Sequence, residues 1–118
     1  MSSENNRSVL ATGQVLRPGN SLFSPDGSTE LRVQTDGKVA IYRDSTCVFQ
    51  NTAEQRDDVT GLVMQEDGNL CLYAGGDNCV WHTNTAGSKD CVLAVQDDGN
   101  VVIYKGSPIW ASDTADSY

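Results

Sequence analysis

Gln-x-Asp-Gly occurs three times in this 118-residue chain, and each copy runs into an apolar stretch that ends in tyrosine. The copies are Gln34-Thr35-Asp36-Gly37-Lys38-Val39-Ala40-Ile41-Tyr42, Gln65-Glu66-Asp67-Gly68-Asn69-Leu70-Cys71-Leu72-Tyr73 and Gln96-Asp97-Asp98-Gly99-Asn100-Val101-Val102-Ile103-Tyr104. They start 31 residues apart (34 to 65, 65 to 96), and the tyrosines keep that interval. A unit of about thirty residues cannot bury its own apolar face, so the period predicts three like units closed on one another. The length fits one domain over residues 1–118. Any site built on the motif is expected up to three times.

Asp-Gly between apolar runs is a strong hairpin signal, because glycine tolerates positive φ. Residues 31–34 are therefore expected to pair with 38–42, 62–65 with 69–73, and 92–96 with 100–104. A fourth Asp-Gly, at Asp26-Gly27, joins 21–24 to 29–33. No stretch carries apolar residues at helical spacing over three turns. Short β-branched runs are punctuated instead by Arg17-Pro18-Gly19-Asn20, Gly75-Gly76-Asp77-Asn78 and Lys105-Gly106-Ser107-Pro108, which predicts an all-β fold. Each unit then closes with a further segment: Val80-Trp81-His82-Thr83-Asn84-Thr85, Ile109-Trp110-Ala111-Ser112-Asp113-Thr114, and Cys47-Val48-Phe49-Gln50-Asn51-Thr52. In the last of these the tryptophan is replaced by Val48 or, after a one-residue deletion, by Phe49. Large rings seek burial, and these three are expected to meet near a central axis.

Charge and cysteines narrow the function classes. The net charge is −8 and the pI about 4.3, so nucleic acid and anionic membranes would be repelled. No apolar run approaches the ~18 residues of a membrane span, so membrane insertion is not expected. Residues 1–8 are polar and lack an apolar core, which predicts a cytoplasmic or leaderless protein, or an extracellular one whose signal was removed. Cys47, Cys71, Cys79 and Cys91 form no C-x-x-C pair, and His82 is the sole histidine. Neither a metal site nor a cofactor is expected. Free, partly buried thiols are expected. If one bridge formed, Cys79–Cys91 across the turn at 85–88 would be the pair. His82 reads as structural, no nucleophile motif occurs, and Asp36, Asp67 and Asp98 fall in separate units, so no enzyme is predicted.

Alternation along the second strand of the third hairpin sends Val101 and Ile103 into the core and leaves Val102 and Tyr104 on the other face. Gln96, Asp98, Asn100 and Tyr104 then converge over a floor of Val102. Carboxylate, amides and a phenol above an apolar floor suit a sugar, whose hydroxyls donate and accept while its C–H patches seek apolar contact. A turn alone would explain Asp-Gly, yet a turn needs neither the glutamine nor the tyrosine. Such shallow sites bind at about millimolar strength, near −4 kcal/mol, and several together give avidity.

These residues resemble the mark of the bulb-type (monocot, snowdrop-like) mannose-binding lectins, Gln-x-Asp-x-Asn-x-Val-x-Tyr, over residues 9–114. The resemblance implies a β-prism II: three antiparallel four-stranded sheets around a pseudo-threefold axis, with one mannose pocket each. It implies that Asp and Asn hold the axial 2-hydroxyl, Gln the 3-hydroxyl and Tyr the 4-hydroxyl, with the sugar ring on Val. The third copy matches fully at Gln96, Asp98, Asn100, Val102 and Tyr104. The second keeps Gln65, Asp67, Asn69 and Tyr73, with Cys71 as floor. The first keeps Gln34, Asp36 and Tyr42 but has Lys38 for Asn and Ala40 for Val. The Lys38 ammonium is expected to pair with Asp36 and weaken or close that pocket, or else to reach a sugar hydroxyl itself. The family disulfide is ruled out, since Gly68 stands opposite Cys91 in that pairing. The resemblance further implies a homodimer made by exchange of C-terminal strands, here residues 110–114. The function expected is a non-catalytic, multivalent lectin for terminal α-mannose on glycans and glycoproteins. The alternative is a protein-interaction module of the same fold that has lost sugar binding.

Overall fold

A computed structural model of the chain describes residues 7–51, 54–105 and 107–112. Twelve strands form in the order β1 (Val9–Leu10), β2 (Val15–Leu16), β3 (Ser21–Phe23), β4 (Thr29–Val33), β5 (Val39–Arg43), β6 (Thr46–Gln50), β7 (Val59–Met64), β8 (Leu70–Ala74), β9 (Asn78–His82), β10 (Val92–Val95), β11 (Val101–Lys105) and β12 (Ser107–Ala111). No helix forms among the described residues. The strands make three antiparallel four-stranded sheets, β3-β4-β5-β6, β2-β7-β8-β9 and β1-β10-β11-β12. This is the β-prism II architecture. All four expected hairpins are present, and their turns close by the same bond: Gly37, Gly68 and Gly99 N–H donate to the carbonyls of Gln34, Gln65 and Gln96, and Gly27 N–H to that of Ser24.

Each sheet sends one matched row of side chains inward. The first row reads Leu22, Leu31, Ile41, Phe49 across four paired strands. The second reads Leu16, Leu62, Leu72, Trp81, and the third Leu10, Leu93, Ile103, Trp110. The aliphatic members are at most 2 % exposed and belong to one cluster, against which the three rings pack. Burial of each such aliphatic side chain is worth about 1.5–3 kcal/mol. The register settles the ambiguity of the first unit: Phe49, not Val48, is the counterpart of the tryptophans. Phe49 and Trp81 meet edge to face, with centroids 6.5 Å apart and planes at 62°. Trp110 packs on the same cluster.

The chain closes its own ring. β1 pairs with β10, and so joins the sheet of the last unit, while β12 pairs with β11 of the same chain. The C-terminal strand thus completes its own sheet here, and residues 113–114 of the expected exchange segment lie outside the described residues. All four cysteines are thiols. Cys79 and Cys91 are not bridged, because Cys79 is exposed on β9 whereas Cys91 is fully buried in the core just before β10.

Candidate functional site

The three motifs are built alike because the backbone repeats. Each sheet shifts register between the last core residue of its middle strand and the tyrosine, at Ile41/Tyr42, Leu72/Tyr73 and Ile103/Tyr104. Such bulges re-aim side chains, and here they sit beside the phenols. The glycines of the turns have φ of 92°, 92° and 91°. At Gly68 a Cβ would also stand 2.6 Å from the Ser88 carbonyl oxygen, so only glycine fits. One carboxylate oxygen of Asp36, Asp67 and Asp98 accepts the backbone N–H two residues on, at 3.0, 2.9 and 2.9 Å.

Of the side chains expected to act together, the glutamine and the tyrosine are in contact in each unit. Gln34, Gln65 and Gln96 donate from Nε2 to the phenol oxygens of Tyr42, Tyr73 and Tyr104. The phenol then keeps its own proton for another acceptor. The floor residues Ala40, Cys71 and Val102 are 0 %, 3 % and 2 % exposed, yet they lie outside the central cluster, on the outer face of their sheets. The other carboxylate oxygen of Asp67 and of Asp98 has no protein partner among the described residues. The second and third hairpins thus each carry a carboxylate oxygen without a partner among the described residues, a Gln–Tyr pair and a small buried apolar floor.

Cys71 does more than fill the floor. Its thiol donates to Gln65 Oε1 at 3.2 Å, which fixes the orientation of that amide. Burial, aided by the neighbouring Cys79 thiol, pushes the Cys71 thiol up to about 12, so it stays protonated as a donor at neutral pH. Burial and Cys71 also raise Tyr73, which keeps that phenol protonated.

Sequence reasoning missed the residues that hold the motif asparagines. The Ser112 hydroxyl accepts Val101 N–H at 2.9 Å and donates to Asn100 Oδ1 at 3.0 Å. Thr83 repeats this with Leu70 N–H at 3.2 Å and Asn69 Oδ1 at 3.4 Å. His82 Nδ1 accepts Asn84 N–H at 3.1 Å and lies 3.3 Å from Asn69 Nδ2. The hydroxyl two residues after each tryptophan was the available signal.

The first unit differs in three ways. Asn51 takes the place of the hydroxyl and accepts Val39 N–H at 2.9 Å. Its Nδ2 is buried without a partner among the described residues, because Lys38 offers no acceptor where the other units have asparagine. Gln34 Oε1 is likewise buried and without a partner among the described residues, whereas in the second unit the Cys71 thiol serves Gln65 Oε1. The expected Lys38–Asp36 ion pair does not form. Gln55 Nε2 instead donates to the second Asp36 oxygen at 3.2 Å, while Lys38 contributes only its backbone N–H. Gln55 comes from the segment after β6, whose Arg56 N–H donates to the Asp36 carbonyl at 2.8 Å.

Comparison with known proteins adds to this geometry. The chain is similar to the Japanese Marasmius oreades lectin, at 32% identity over 95% of each chain with a TM-score of 0.84. It is similar to monomeric monocot mannose-binding lectins from Gastrodia elata, at 32% identity over 92% of this chain and 96% of that one, TM-score 0.81. The mannose-specific agglutinin of snowdrop (Galanthus nivalis) bulbs, solved with methyl-α-D-mannoside, is 29% identical over 91% of this chain and 96% of its own, TM-score 0.73. No protein-family model and no curated protein matches the chain.

Proposed function

Because the chain belongs to the bulb-type mannose-binding lectins, we propose that it binds terminal α-mannose on glycans through its second and third motifs, without transforming the sugar. The observation that carries this is the uncommitted carboxylate oxygen of Asp67 and Asp98, each in a unit that also holds a Gln–Tyr pair and a buried floor. An axial hydroxyl donates to that carboxylate and accepts from the neighbouring asparagine amide. The sugar with an equatorial hydroxyl leaves those groups unpaired, at about 1–3 kcal/mol. Titration calorimetry with methyl α-mannoside should give about millimolar binding, and methyl α-glucoside at the same concentrations should give none. Equal heats from both would overturn the reading.

The first motif is the weak one in this reading, because Gln55 occupies the carboxylate oxygen that the hydroxyl needs. Lys38→Asn supplies the acceptor that Asn51 Nδ2 lacks. It should stabilise the fold by about 0.5–1.5 kcal/mol in denaturant titrations, and with Gln55→Ala it should add a third mannoside site. An unchanged stoichiometry in the double variant would place the defect elsewhere.

Ser112 is a positioning residue. Ser112→Ala leaves Val101 N–H without its acceptor and should cost about 1–3 kcal/mol of stability. It should also weaken the third site while the second keeps its affinity, as read from separate Tyr104 and Tyr73 resonances. A homodimer belongs to the same proposal, and sedimentation at working concentration tests it: a monomeric chain would remove it without touching the sites.

A further inference from the structure

The threefold repeat provides its own comparison at a place the motif does not include. Beside each floor residue the outer face of the sheet continues onto the two preceding strands. In the second unit this wall consists of Val15, Gly61 and Val63, aligned with Cys71 and Tyr73. In the third it is Val9, Val92 and Ala94, aligned with Val102 and Tyr104. In the first the same positions are Ser21, Glu30 and Arg32, aligned with Ala40 and Tyr42. Two walls are free of polar side chains and one is charged.

The charged wall borders a groove of about 770 Å³ that runs from Arg7 and Arg17 past Phe23 and Arg32 to Gln34 and Asp36. The recess beside Tyr73, which shares Arg17 and also meets Asp77, is about 240 Å³. Only 8 of the chain's residues are Lys or Arg, against 16 acids. Three of them line this groove. The wall is pre-organised. Arg32 donates from Nε and Nη2 to Glu30 Oε2, at 2.9 Å each, and its guanidinium lies 5.4 Å over the Tyr42 ring. Ser21 Oγ donates to the same Glu30 oxygen. Arg17 is held by Thr60 O at 3.0 Å.

Both carboxylates of the groove are already engaged, Glu30 by Arg32 and Ser21, and Asp36 by Gln55 and the turn. Two atoms are not. Arg7 Nε and Gln34 Oε1 are buried without partners among the described residues. One needs an acceptor and the other a donor, and unpaired buried groups of this kind are costly. Both belong to residues that line the groove, and a ligand complementary to three guanidinium groups beside a glutamine carries an anionic group near a hydroxyl. We propose that this groove binds an acidic saccharide, with a hydroxyl at Gln34 and a carboxylate, sulfate ester or phosphate ester held by Arg7, Arg17 and Arg32. Guanidinium suits all three anions. The first unit has then lost the mannose geometry of its siblings and gained a different sugar specificity. This rests on the carbohydrate-binding reading of the fold, and the test separates the two.

The folded chain is titrated at low salt with oligomannuronate, mannose 6-sulfate, mannose 6-phosphate, neutral mannotriose and inorganic sulfate, followed by calorimetry and amide NMR. At least one acidic sugar should bind about tenfold more tightly than mannotriose, shift Asn20, Phe23 and Arg32, and weaken as salt rises. The tightest of the three identifies the anion. Arg7→Gln and Arg32→Gln should each lose about tenfold for that sugar. Arg17→Gln repeats the test at an exposed position outside the core, where the parent side chain bonds Thr60 O. Methyl α-mannoside binding at Asp67 and Asp98 should be untouched in the Arg7 and Arg32 variants; in the Arg17 variant the control is the Asp98 site, because Arg17 also lines the recess beside Tyr73. The inference is overturned if acidic and neutral sugars bind alike, if the arginine variants bind the acidic sugar as the parent does, or if inorganic sulfate binds as tightly as the saccharide. Loss of mannoside binding at the other two motifs with the groove still active would overturn the mannose reading alone.

Discussion

Replacing Asp67 and Asp98 together by alanine is expected to abolish mannoside binding and leave the chain folded. Each carboxylate is exposed and makes one bond inside its turn, to Asn69 or Asn100 N–H at 2.9 Å. Losing that bond costs about 0.5–1.5 kcal/mol, which a domain of ordinary stability tolerates. Losing a charged partner for the axial hydroxyl costs about 1.5–3 kcal/mol in binding, roughly ten- to hundredfold. A site that begins near millimolar then falls out of range. Each single variant should keep one site and half the heat. Asp67→Asn and Asp98→Asn separate the two roles, since asparagine keeps the oxygen that caps the turn but not the charge. They should melt like the parent and still bind weakly. Parental binding in the double alanine variant would show that the sugar sits elsewhere.

Leu72→Ala should be the most damaging single change to the fold. Leu72 is fully buried in the middle of its sheet, between Leu62 and Trp81, and joins the shared cluster. Truncating such a leucine costs about 3–4 kcal/mol, because the cavity cannot collapse when neighbours on three sheets meet there. At about 4 °C per kcal/mol for a domain of this size, the midpoint should drop by roughly 12–16 °C. Val63→Ala, one strand away on the outer wall, should cost under about 1 kcal/mol. Equal losses from the two would contradict the assignment of inner and outer faces.

Most of this architecture was legible before any coordinates. The Asp-Gly turns fixed the hairpins, the 31-residue period fixed the number of units, and alternation placed Val101 and Ile103 inward and Val102 outward. What could not be read has physical reasons. β1 and β2 are two residues each, too short for any alternation to register, and they pair with strands far along the chain. The Trp-x-Ser/Thr spacing marks Ser112 and Thr83, but their role rests on a hydroxyl meeting a backbone N–H on another strand, 11 and 13 residues away, which spacing alone does not show. Asn51, their counterpart, was hidden by a one-residue deletion. At Lys38 charge complementarity suggested an ion pair with Asp36. The loop after β6 carries Gln55 to that carboxylate instead, and a loop path is not written in periodicity.

The central claim is that repeated amide, acid and phenol side chains on the outer faces of a three-sheeted prism hold a hexose. A crystal soaked in methyl α-mannoside tests it in one step. The account predicts a pyranose in the second and third units, its 2-hydroxyl between Asp67 and Asn69 or Asp98 and Asn100, and its ring carbons on Cys71 or Val102. A sugar lodged away from these residues, or both pockets empty at saturating mannoside, would contradict it.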